Sequence, residues 1–235
     1  MMFRYLHLGL VAGMSLASLA SCGIISSDVT DVDLALPDKR FSIHADAWQV
    51  SQANADQALA TSCSAQPTVC STAAEMACAS GCRGTCNAAK TCDLSLDISL
   101  AQPVDLVTEK PDLKSFADQS VIKVSIDSVT YEITANSLNV ETPELTVYVA
   151  PMSVISAKDA TAIGTIDAVP AGWTTTEPQA VKLTAAGHDK LVNIMSTFKM
   201  PFNVIVGSSI LLTAGQPVPA GQLDAVVHIR GHAGL

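Results

Sequence analysis

Six of the seven cysteines in this chain fall within residues 63–92, and none follows them. Their spacing is Cys63-x6-Cys70-x7-Cys78-x3-Cys82-x3-Cys86-x5-Cys92. The residues between them are mostly Ala, Ser and Thr, with almost no large apolar side chain. Such a stretch offers little to bury, so covalent closure has to stand in for a core. An even cysteine number predicts three disulfides wherever the compartment is oxidising, although six cysteines admit many connectivities and spacing does not choose among them. Each short loop closed contributes roughly 2–4 kcal/mol in the chain-entropy picture. The competing reading is a metal or redox site. On a helix, Cys78, Cys82 and Cys86 would line one stripe and offer a thiolate face to zinc or an iron–sulfur cluster. Gly81 and Gly84 oppose a stable helix there, and no Cys-x2-Cys pair occurs, so no metal and no other cofactor is expected.

Past residue 92 the pattern changes character. Leu94, Leu96, Ile98 and Leu100 alternate with Ser95, Asp97 and Ser99, and Ile122, Val124 and Ile126 alternate with Lys123 and Ser125. The same period returns at Val129, Tyr131 and Ile133, at Leu145, Val147 and Val149, and at Leu223, Ala225, Val227 and Ile229. A period of two buries one face of a strand and wets the other. Turn signals separate the runs, among them Lys110-Pro111-Asp112, Thr142-Pro143 and Pro170-Ala171-Gly172. Many short strands at this spacing predict an all-β fold, an antiparallel β-sandwich of immunoglobulin-like or related type. One short helix interrupts the series: Leu191, Ile194, Met195 and Phe198 recur at helical spacing, and Pro201 ends the segment. That stripe reads as core contact. Upstream, Phe41, Ile43 and Ala45 alternate with Ser42, His44 and Asp46, which predicts a strand, and residues 51–60 suit a loop or a turn or two of helix.

At 235 residues and 49% hydrophobic content, the chain has material for one main core. Its formal charge of −9 repels phosphate backbones and anionic headgroups, and the scattered Lys and Arg form no basic run. Nucleic acid is therefore excluded as a partner, and electrostatic membrane docking is not expected. With 4% aromatics, stacking platforms are scarce. Trp173, within Gly172-Trp173-Thr174, is the loop aromatic suited to a partner contact, the alternative being that it tucks against a sheet edge.

Catalytic motifs are incomplete. Ser120-Val121-Ile122-Lys123 and Ser196-Thr197-Phe198-Lys199 both match Ser-x-x-Lys, yet neither Ser-Asp-Asn nor Lys-Thr-Gly accompanies them. His228, Arg230 and His232 share one side of the last strand. Residues four apart in a strand are about 13 Å apart, too far for one metal, so these histidines read as solvated. His188 beside Asp189 reads as a local pair, and His44 shares a side with Asp46. The pairs Glu141 with Glu144 and Asp93 with Asp97 also read as solvated, and no catalytic residue is assigned.

The beginning of the chain fixes an address. Met1 to Arg4 brings one positive charge, Tyr5 to Ala20 is apolar with small residues near its end, and Leu19-Ala20-Ser21-Cys22 closes the segment. These four residues resemble the lipobox of bacterial lipoproteins. The resemblance implies cleavage before Cys22, a diacylglycerol thioether on Cys22, and acylation of the new amino group. Several acyl chains make such an anchor effectively permanent. Gly23, where Asp would signal retention, implies the outer membrane of a two-membrane bacterium. Removing the leader takes Arg4 with it and leaves twelve basic residues against twenty-two acidic, a formal −10.

The expected organisation is a signal peptide over 1–21, a lipidated tether over 22–38, a strand and connector over 39–62, the Cys-rich segment over 63–92, and the sandwich over 93–235. This arrangement resembles that of uncharacterised Cys-rich all-β surface lipoproteins of bacteria, a likeness that brings no activity with it. The expected role is a lipid-anchored envelope protein with a non-catalytic binding or structural function, held to the membrane through Cys22 and meeting an envelope protein or glycan. Two alternatives are an extracytoplasmic hydrolase whose site is assembled from distant residues, and metal handling by the cysteine cluster.

Overall fold

The structure is a computed structural model and describes residues 32–66, 68–78 and 81–234. The alternation after residue 92 becomes strand β4 (Cys92–Val104), with Leu94, Leu96 and Ile98 buried. It pairs with β3 (Cys82–Cys86) on one side and β10 (Phe202–Leu212) on the other. The sheet continues through β6 (Leu145–Pro151) and β7 (Thr161–Ile166) to β9 (Lys182–Leu183). A second sheet is built on β11 (Gln222–Gly234), flanked by β5 (Lys123–Asn136) and then β8 (Gln179–Ala180). On its other side lie β1 (Val32–Asp33) and β2 (Lys39–His44). Every pairing is antiparallel. Leu96, Val204 and Val206 from one sheet share a core with Phe41, Ile133, Val227 and Ile229 from the other. The fold is thus an antiparallel β-sandwich, the architecture that the two-residue period predicts.

Parity is informative within β5. Ile122 and Val124 bury even positions, whereas Val129, Tyr131 and Ile133 bury odd ones. The switch falls where the pairing with β11 skips Asp127, a β-bulge that turns the strand by one residue. Residues 32–38, read from sequence as the end of a tether, lie along β11. Leu34 N donates to Gly231 O at 2.8 Å and Leu36 N to Ile229 O at 2.9 Å, with both leucines buried. Residues 32–44 therefore follow β11 along nearly its whole length.

Helix α4 (Ala185–Ser196) is the helix expected from spacing. The Thr184 hydroxyl caps it by accepting from Gly187 N at 2.9 Å, and Leu191 and Met195 are fully buried. Phe198, one turn on, is buried in the connection to β10. Two further helices precede β3: α1 (Gln52–Leu59), capped by Ser51, and α2 (Val69–Ala77). A short α3 (Leu106–Glu109) follows β4 and leads into a 3-10 turn, Pro111–Phe116. Helix α2 departs from the expectation that residues 63–92 have too little to bury and that covalent closure stands in for a core. Cys70, Ala73, Ala74 and Ala77 line its inner face, and the three alanines belong to the main core. Small side chains suffice because the backbones approach closely. A Cβ on Gly84 of β3 would lie 1.8 Å from the Cys70 carbonyl oxygen.

The sandwich consequently has two ends. At the cystine end lie α1, α2, β3, the starts of β4 and β11, and the end of β10. At the other, the Val32 end, lie the ends of β4 and β11, the start of β5, α3, and the connection from α4 into β10.

Candidate binding groove and cystine cluster

Three disulfides consume the six cysteines of residues 63–92: Cys63–Cys86, Cys70–Cys92 and Cys78–Cys82. Cys86 and Cys92 face each other across the β3–β4 ladder, and each reaches a different partner. The first two bonds thereby interleave in sequence, tying the segment before α2 to β3 and α2 itself to β4. The third closes the connection between α2 and β3. Cys78, Cys82 and Cys86 do not form the helical stripe that a thiolate site would need, since residues 82–86 are strand and the three sulfurs are split between two bonds. The sulfurs of Cys63, Cys70 and Cys92 lie within 4.8 Å of one another, but as disulfide sulfurs they carry no thiolate for a metal.

The outer face of the six-stranded sheet carries a polar groove. Its wall is residues 152–159, which fold back over β10 for identifiable reasons. Asn203, buried on that face, donates through Nδ2 to Met152 O at 3.1 Å and to Val154 O at 2.8 Å. Ser99 Oγ accepts from Ala157 N at 3.0 Å. Gly207 beneath them is required, because a Cβ there would come within 2.6 Å of the Ala157 Cβ. This covering also explains why Phe202 to Gly207 are buried on both faces instead of alternating.

Between this wall and β3–β4 lies an open space of about 550 Å³ lined by Arg83, Asp97, Ser99, Tyr148, Lys158 and Ser209, among others. Asp97 is its hub. Its carboxylate accepts from Arg83 Nη2 at 2.6 Å and from Ser209 Oγ at 3.1 Å, and Ser209 is hydrogen-bonded in turn to Ser95. The Asp97 backbone is pinned from behind, its N donating to Gly81 O at 2.7 Å and its O accepting from Trp48 Nε1 at 3.1 Å. The lining thus presents two cations, a carboxylate already engaged by one of them, several hydroxyls and a phenol. That chemistry suits hydrogen bonding to a polyhydroxy or anionic group.

Other sequence candidates fall elsewhere. Asp97 is part of a bonded network instead of lying free on a wet face, and Asp93 accepts from Asn87 Nδ2 at 2.9 Å. Glu141 and Glu144 are exposed, as expected. His228 differs from its solvated reading: its side chain is 20% exposed, with Nδ1 2.8 Å from Asp38 Oδ1 and Nε2 3.7 Å from Glu132 Oε1. The cause is that the segments on both flanks of β11 bring a carboxylate to it, Asp38 from the stretch just before β2 and Glu132 from β5. His232 Nε2 lies 2.9 Å from Asp127 Oδ2, the residue at the bulge. His188 meets Asp189 locally at 3.5 Å. His44 and Asp46 line a shallow space of about 510 Å³ with Asn136 and Gln222. Trp173 is 42% exposed near the cystine end, its carbonyl accepting from Asn136 Nδ2 at 3.1 Å. Cys22 lies outside the described residues. No family model, curated protein or solved structure matches the chain.

Proposed function

We propose that this chain is a lipid-anchored protein of the bacterial envelope that works by binding, with its anchor on Cys22, its site the outer membrane, and its groove around Asp97 the contact for an envelope protein or glycan. The observation that carries the reading is the cystine cluster. Three disulfides suit an oxidising compartment, which is where a leader ending in Leu19-Ala20-Ser21-Cys22 would deliver the chain. The groove supports binding because its carboxylate is held by Arg83 and its lining, as described, includes hydroxyls and no histidine.

Fatty-acid labelling and intact mass of the wild-type protein and of Cys22→Ser test the anchor. The expected result is a diacylglyceryl and acyl mass on Cys22 in membrane fractions, with label lost in the variant. An unmodified thiol at Cys22, or an intact leader in soluble extract, would overturn it. Crosslinking in cells with the lipidated protein tests the groove. One stoichiometric partner or glycan is expected, released by Tyr148→Ala with Lys158→Ala; retention in that variant would remove the groove from the account.

A further inference from the structure

At the Val32 end, residues 105–117 and 198–201 enclose an open groove of about 360 Å³. Val107, Leu113 and Phe198 line it, with Lys114 and Lys199 beside them. Two contacts fix the segments together: Lys199 Nζ donates to Ala117 O at 2.6 Å, and Ile122 N donates to Ser196 O at 3.1 Å. Next in sequence to these contacts stand Val121 and Met200, 56% and 66% exposed. Exposure alone does not set them apart, since Met76 and Leu211 are as open at the cystine end; what marks this pair is the apolar groove beside it and the end of the sandwich on which it stands.

Two observations point to the occupant. The first is where the chain enters the fold. Val32, Ala233 and Val124 form one row across β1, β11 and β5, a span of roughly 10 Å at ordinary strand spacing. The N-terminal segment therefore leaves from the same end as Val121, three residues before Val124. The second is charge. Around this groove Lys110, Lys114, Lys123 and Lys199 stand against Asp105, Glu109, Asp112 and Asp118, and Lys39 is bonded to Glu109 at 2.6 Å. With Asp33 beside Val32 and Asp127 at the bulge counted, five lysines stand against six carboxylates, so this end is close to neutral in a chain of formal charge −9. The repulsion of anionic headgroups expected from net charge is an average over both ends and does not describe this one.

We infer that the Val32 end is the face laid on the lipid bilayer, with Val121 and Met200 entering the headgroup boundary and Lys114 and Lys199 meeting the phosphates of anionic phospholipid. This rests on the lipid-anchored reading, since an anchor on Cys22 would hold this end nearest the membrane. Apolar insertion combined with lysine contact is the general chemistry of interfacial binding.

The test separates the two claims by supplying the tether artificially. The mature chain with Cys22→Ser and an N-terminal hexahistidine tag is held on nickel-chelating vesicles of phosphatidylethanolamine and phosphatidylglycerol with brominated acyl chains. Tryptophan is placed at Val121→Trp or Met200→Trp, and at Met76→Trp or Leu211→Trp on the cystine end. Bromolipid quenching is expected to be about twofold or more greater at 121 and 200 than at 76 and 211, and to fall in Lys114→Glu with Lys199→Glu. Equal quenching at both ends would overturn the assignment of the face, and undiminished quenching in the double lysine variant would overturn the phosphate contact. Hydrogen exchange of the unsubstituted chain guards against a variant that fails to fold: amides of 117–122 and 197–200 gain protection on vesicles if the inference holds, and gain none if it fails. Because nickel holds the chain in every arm, a negative result here leaves Cys22 lipidation untouched, and a missing fatty acid on Cys22 leaves this result standing.

Discussion

The cystine end and the Val32 end of the sandwich are closed by different means. At the cystine end the buried side chains of α2 are Cys70, Ala73, Ala74 and Ala77, and three disulfides bind α2 and β3 to the sheet. At the Val32 end the described residues include no cysteine, and Leu106, Leu113, Phe116, Phe198 and Phe202 are buried. Burying a large side chain contributes roughly 1.5–3 kcal/mol, several times what an alanine methyl offers. Covalent closure is found on the helix whose buried face is only alanine and cysteine, so α2 and the Val32 end should respond oppositely to reductant and to truncation.

The largest effect expected is at the Val32 end. Phe202→Ala should destabilise by about 4 kcal/mol through lost burial and a cavity. Urea unfolding monitored with and without reductant should show this loss in both conditions; a loss confined to reductant would break the contrast. Cys70→Ala with Cys92→Ala should cost about 3 kcal/mol, the loop-closure value for a separation of 22 residues, and thiol reductant should then have correspondingly less left to remove. An unchanged midpoint in oxidising urea would mean that packing of α2 already holds this end. Gly84→Ala should cost about 2 kcal/mol, because its methyl would collide with the Cys70 carbonyl and force α2 away from β3. Faster proteolysis within residues 63–92 should report it.

Asp105 offers a smaller and pH-dependent comparison. Its hydrogen bonds from the Thr108 hydroxyl and amide hold its carboxyl below the ordinary value of 3.8. A depressed folded-state value means that the stabilisation is present at neutral pH and is lost as pH falls through the acid range below the unfolded value. Asp105→Ala should cost about 1 kcal/mol at pH 7, with the gap to wild type closing toward pH 2. A gap independent of pH would show that the cap is not the cause. Smallest of all, Arg83→Ala should move stability by less than about 1 kcal/mol, since this side chain is 65% exposed.

The sandwich was legible because alternation survives in most long strands. Even the parity change between Ile126 and Val129 is written in the sequence, and the bulge at Asp127 is its structural form. What escaped notice did so for physical reasons. The buried face of α2 is alanine and cysteine, which carry almost no hydrophobic contrast with their serine and threonine neighbours. Strand β10 breaks alternation at Ile205 because residues 152–159 cover its outer face, a long-range event that no local pattern encodes. The groove draws Arg83, Asp97, Tyr148 and Ser209 from four strands, and only the run Ser95, Asp97, Ser99 hinted at a shared polar face. The carboxylates around His228 likewise come from separate segments, Asp38 and Glu132. The disulfide pairing needed the β3–β4 register before it could be assigned.

The run of residues 32–44 along β11 has a mechanical meaning. Drawn along its own axis from Val32, while the body is held at the opposite end, this edge meets the load in shear. The bonds from Leu34 and Leu36 and the ladder of β2 then share the force together, where a sideways pull would break them one after another. A protein threaded this way resists being dragged by its first residues far better than one whose leading strand unzips.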